Sequence, residues 1–149
     1  MSKRYERLNR ELLDIVRELE EEGVLDKQFL TVRSLKETSN PFFLAELIPS
    51  FTKDFLNGVQ KLSDALEKPA VNFHELDQFC LKIKGSSSCF GACRLVQAIV
   101  GLRQAIGGES VDLCLAALDV VKQEWSYLET KLSHILKLEI RMICHDDVV

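Results

Sequence analysis

The chain has 149 residues, 46% hydrophobic and 28% charged, with a net charge of −4 at neutral pH. That is the length of one globular domain, and the acidic balance argues against general nucleic-acid binding, which needs a basic face to displace counterions. No apolar run follows Met1-Ser2-Lys3-Arg4 and no stretch nears the roughly 18 apolar residues of a membrane span, so a soluble intracellular product is expected, with its five cysteines reduced.

Residues 3–21 place Leu8, Leu12, Ile15, Val16 and Leu19 on one helical face, with Gly23 as the stop. Residues 25–36 repeat the pattern with Leu25, Phe29, Val32 and Leu35. Asn40 and Pro41 read as the N-cap and first residue of a long helix over 41–67, whose apolar series runs from Phe43 to Leu66 and which Pro49 is expected to kink. Asn72 with Glu75 resembles a capping box ahead of a helix over 73–88, and Gly91 marks the next joint. Leu95, Ala98, Ile99, Leu102 and Ile106 form the next helix, closed by Gly107-Gly108. After Ser110 as a cap, Cys114, Leu118, Val121, Trp125, Leu128, Leu132 and Ile135 alternate by four and three, the seam of a packed bundle. Cys144-His145-Asp146-Asp147 reads as a frayed, solvated tail rather than a metal site.

No segment alternates with a period of two. The expected fold is all-α: one domain over 1–149, an antiparallel four-helix bundle over 41–143 with two cover helices over 1–37 packed on one end. A monomer is expected, since the outer faces are polar. Trp125 and the helically spaced phenylalanines read as core rather than a cofactor box, and no cofactor is expected.

Residues 77–94 are the unusual stretch, with Lys84-Gly85-Ser86-Ser87-Ser88 and then Gly91-Ala92. On a helical wheel Leu76, Phe79, Cys80, Ile83, Ser87 and Phe90 share a buried stripe, while Leu81 lies about 140° from Leu76, among Asp77, Gln78, Lys84, Gly85 and Ser88. Gly85 leaves the next turn of that polar face without a side chain, at a cost of roughly 1 kcal/mol relative to alanine. Such a cost makes sense where another surface must come close. Lys84 offers that surface a positive charge, and Lys82, Arg94 and Arg103 lie nearby in sequence. A local basic patch on an acidic protein suits an acidic protein partner better than DNA.

These residues resemble the plant histidine-containing phosphotransfer proteins, whose motif runs His-Gln-x-Lys-Gly-Ser-Ser-x-x-x-Gly-Ala. Lys84, Gly85, Ser86, Ser87, Gly91 and Ala92 match it in order and spacing; Leu81 stands at the histidine position and Lys82 at the glutamine. Residues 22–29, Ser39-Asn40-Pro41 and 121–125 resemble further segments of that family. The resemblance implies a pseudo-phosphotransfer protein without a catalytic residue. It would dock receiver domains of hybrid kinases and response regulators through Asp77, Gln78, Leu81, Lys82, Lys84, Gly85, Ser86 and Ser88. It further implies a cytoplasmic and nuclear protein that inhibits signalling, cytokinin signalling in particular.

Two rival readings stay open on sequence: an active carrier with an unconventional acceptor, and a helical adaptor with other partners. His74 lies on nearly the same face as Leu81, two turns or about 10 Å away, but Asp77 and Gln78 stand where the family has lysine and glycine. His134 and His145 are weaker candidates still. Leu81 itself has a plainer reading, as a residue packed against the N-terminal helices or a tolerated exposed leucine. Cys89 and Cys93 have the i,i+4 spacing of metal ligands, but nothing completes a site, so no metal is expected.

Overall fold

The computed structural model describes residues 2–38 and 40–148, with side chains described outside 36–39 and 145–149. Among the described residues six helices follow in order: α1 Lys3–Glu21, α2 Gln28–Thr38, α3 Phe43–Leu66, α4 Phe73–Phe90, α5 Cys93–Gly107 and α6 Val111–Val148. No strand occurs among the described residues.

Helices α3 to α6 close a ring in which each packs on its sequence neighbour and α6 returns to α3. Short turns join them, so neighbours run antiparallel. The apolar stripes meet inside. Leu76, Cys80 and Ile83 of α4 and Leu95, Ile99 and Leu102 of α5 are all buried, and so is the α6 seam from Cys114 to Ile135. At 38 residues α6 spans about 57 Å, against about 22 Å for the 15 residues of α5, so its C-terminal half extends past the short helices. The N-terminal helices take up that length. Helix α1 lies along α6, and Tyr127 Oη donates to the Glu22 carboxylate at 2.7 and 2.9 Å. Helix α2 rests on α3 and α4.

An aromatic cluster ties α2, α3, α4 and α6 together. Phe51 stacks on Phe90 at 4.4 Å, Phe55 stacks on Trp125 at 4.5 Å, and Phe29 meets Phe90 edge-on at 5.3 Å. Behind it, fully buried Glu139 of α6 accepts from Arg33 Nε at 2.7 Å, while Arg33 Nη2 donates to Asn9 at 2.8 Å. One guanidinium therefore bridges α1, α2 and α6. A buried carboxylate is tolerable only with such a charge-assisted partner.

The end of α4 is fixed by Gly91. Its φ of 89° lets the Ala92 amide donate to the Ser87 carbonyl and the Gly91 amide to Ser88, a Schellman ending. A side chain here would collide with the incoming α1–α2 turn, because a Cβ would lie 2.7 Å from the Phe29 nitrogen. That turn is bonded to the same spot, with the Asp26 amide donating to the Gly91 carbonyl at 2.9 Å. The motif helix and the N-terminal cover are thus locked together at one glycine.

Four local expectations need correction. Helix α3 starts at Phe43, and Asn40 instead makes a turn before it, its Oδ1 accepting from the Phe42 amide at 3.0 Å. Leu35, expected on a buried face, is 46% exposed, because α2 is anchored through Phe29 and Arg33. Phe79 is half-buried rather than core. Helix α6 continues to Val148, so the backbone at 144–147 is helical rather than frayed; the side chains of His145, Asp146 and Asp147, and all of Ser39, lie outside the described residues.

Candidate functional site

Helix α4 carries the site because its N-terminus is firmly set. Asn72 Oδ1 accepts from the Glu75 amide at 3.1 Å, which fixes the helix phase, and the stripe Leu76, Cys80, Ile83, Ser87 and Phe90 then turns inward. The opposite face is open. Leu81 is 40% exposed and shares a shallow recess with Gln78, Phe79 and Lys82. Gly85, one turn on, is exposed, and a Cβ built there meets nothing within 4 Å.

That open space removes any internal reason for glycine at 85. Gly85→Ala is expected to raise folding stability by about 1 kcal/mol, read as a higher denaturation midpoint at unchanged slope. Gly58 on α3 is the contrasting case: a Cβ there would run into the Ile83 side chain, so this glycine serves close helix packing.

The other motif residues divide. Lys82 is exposed and Lys84 half-buried, and neither has an ion-pair partner among the described residues. Ser86 donates to the Ile83 carbonyl at 3.2 Å, a local helix bond, and Ser88 is exposed. Ser87 is fully buried, and its hydroxyl has no partner among the described residues.

Asp77 does not stand free beside Leu81. Arg103 of α5 grips both its oxygens, Nε at 2.8 Å and Nη2 at 3.3 Å. This hydrogen bond holds the Asp77 carboxyl below the usual carboxylate range against the opposing effect of burial; the charges of Arg103 and His74 add to it. Arg94 is likewise held, by Glu124 at 2.6 Å. Of the four cations near the motif in sequence, two are therefore neutralised, and Lys82 and Lys84 remain.

Sequence reading missed Lys61. It projects from α3 with its Nζ 5.9 Å from the centre of the Phe79 ring, and it lines a groove of about 340 Å³ with Asp54, Asn57, Gly58, Phe79, Lys82 and Ser86. No local spacing could have announced it, since it reaches the site across a helix interface. A second groove, between α3 and α6, contains no motif residue.

Chemically, the exposed position 81 offers a hydrocarbon side chain and no imidazole. Burial, helped by the charge of Asp77, pushes the Cys80 thiol up to about 12, so it stays protonated inside the bundle. Exposed His74 sits near the Asp77 carboxylate. Among the described residues no three His, Cys, Asp or Glu side chains are placed to hold a metal ion. Cys93 instead donates its thiol to the Gly23 carbonyl at 3.1 Å. No described helix is long and apolar enough to cross a membrane.

No family model matches the chain. It is 33% identical over 138 residues to histidine-containing phosphotransfer protein 1 of Arabidopsis thaliana, covering 93% of this chain and 90% of that one. It is 30% identical to pseudo histidine-containing phosphotransfer protein 5 of Oryza sativa subsp. japonica, covering 90% and 88%. Among solved structures, a histidine-containing phosphotransfer protein from rice superposes with a TM-score of 0.86 at 30% identity, covering 93% and 97%, and one from Medicago truncatula with 0.84 at 29%, covering 93% and 94%. Relatives named as carriers and relatives named as pseudo-carriers match almost equally well. Overall identity does not separate the two, and the residue at position 81 has to.

Proposed function

Because the chain belongs to the histidine-containing phosphotransfer protein family of two-component phosphorelays, we propose that it docks receiver domains without accepting their phosphoryl group. The relatives are phosphotransfer carriers and pseudo-carriers rather than catalytic enzymes, and this chain is likewise no enzyme. The observation that carries the proposal is Leu81. It stands 40% exposed, on a face kept clear by Gly85, at the position that the motif resemblance equates with the acceptor histidine.

A carrier's imidazole takes phosphate by lending a lone pair to phosphorus while the acyl-phosphate bond of a receiver aspartate breaks. Leucine has no lone pair to lend. Its exposed apolar surface still favours docking, because it leaves water at no polar desolvation cost. The protein then occupies receivers that a competent carrier would otherwise serve, and lowers output, with cytokinin signalling the pathway to which the family resemblance points. The cytoplasm and nucleus are the compartments where it would act.

The test is incubation with a receiver domain labelled on its aspartyl phosphate. The expected result is a complex in which the label stays on the receiver. Label on this protein would overturn the proposal and direct the search to His74. Gly85→Ala, stabilising for the fold, is expected to weaken that complex, since its methyl group fills the space left for the partner.

A further inference from the structure

Docking on α4 alone leaves the adjoining groove unexplained. The groove beside Leu81 has a direction. Gly58 against Ile83 sets the register of α3 and α4, so Lys61, Phe79 and Lys82 lie at one end and Asp54 at the other, seven residues or about 10 Å from Lys61. The end next to Leu81 is cationic and partly apolar, and neither lysine there has a carboxylate partner among the described residues. Lys61 is also pre-positioned, its ammonium beside the Phe79 ring. The far end is anionic.

We propose that this α3–α4 groove is a specificity subsite, in which Lys61 and Lys82 hold an acidic side chain of the docked partner while apolar atoms beside that carboxylate cover Phe79 and Leu81. The inference rests on the receiver-docking reading and adds α3 to the docking surface. Two unpaired ammonium groups in a groove that also holds an aromatic ring suit a carboxylate at the edge of an apolar contact; a basic side chain would be repelled there and drawn to Asp54. Placing the acid at the Leu81 end fixes the partner's register along the groove. Because both lysines are exposed, the contribution is sensitive to salt.

The experiment measures affinity for a recombinant receiver domain of a plant hybrid histidine kinase, at low and high salt, with the unaltered protein, Lys61→Glu, Lys61→Gln and Asp54→Asn. Lys61→Glu is expected to weaken binding on the order of tenfold at low salt and to flatten the salt dependence, with Lys61→Gln between it and the parent. Asp54→Asn is expected to bind as tightly as the parent or more tightly. Circular dichroism and thermal melting are expected to be unchanged in all three, since these side chains are exposed. Parent-like binding by Lys61→Glu overturns the subsite while leaving receiver docking intact, and weaker binding by Asp54→Asn overturns the assigned polarity. If the unaltered protein binds no receiver, docking itself fails and the subsite with it.

Discussion

Leu81→His is expected to turn a protein that takes no phosphate from a phosphorylated receiver into one that does. The backbone there is a regular turn of α4, fixed by the Asn72 cap and the Gly91 ending, so an imidazole at position 81 inherits a set orientation and the 40% exposure of the leucine. Lys84 is at i+3 with no ion-pair partner among the described residues, and Gly85 at i+4 leaves approach room. Phosphoryl transfer of this kind depends on positioning and charge more than on covalent help from the acceptor, so on the docking proposal one added nucleophile is expected to be enough for the reaction. On the motif resemblance Lys82 stands where the family has glutamine, and uptake by the variant is expected to be slower than by a competent relative. Receiver-dependent labelling of the variant, against none for the parent, is the readout. An unlabelled variant that still binds the receiver would mean that the site has lost more than its histidine.

Phe51→Ala is expected to cost the fold about 3–5 kcal/mol, a large share of the 5–15 kcal/mol typical of a domain. Phe51 is 5% exposed, and its ring stacks on Phe90 at 4.4 Å and meets Trp125 edge-on at 5.8 Å. Truncation removes the ring that joins α3, α4 and α6 and leaves a cavity that stacked aromatics cannot fill by moving. The substitution also unseats the end of α4, next to the Gly91 joint. Phe51→Leu, which keeps most of the volume, is expected to cost much less. Equilibrium denaturation of the three proteins checks both values; near-equal stability of Phe51→Ala and the parent would show that the cluster is not a structural anchor.

Helix periodicity made the bundle legible because burial follows the 3.6-residue stripe: the seam from Cys114 to Ile135 is buried as its spacing predicts. Spacing carries less about what crosses between helices. The Asp77–Arg103 pair could not be read from spacing because its members lie 26 residues apart, and Lys61 stayed invisible because the groove exists only when α3 lies against α4. Phe79 fell in the apolar stripe yet sits at its edge, where it becomes part of the site. One signal was in the sequence and went unread: four residues beyond Ile135, Glu139 continues the seam, and a carboxylate on a buried stripe demands a cation, which Arg33 supplies. Asn40-Pro41 has cap chemistry, but its turn comes two residues before the helix begins.

The most direct test adds the unaltered protein to a phosphorylated receiver and a transfer-competent relative, and follows the label with time. Occupancy without chemistry predicts that transfer to the competent carrier slows as this protein is raised, that excess receiver restores it, and that this chain stays unlabelled throughout. Undiminished transfer at concentrations that saturate the receiver, or label on this chain, would contradict the account.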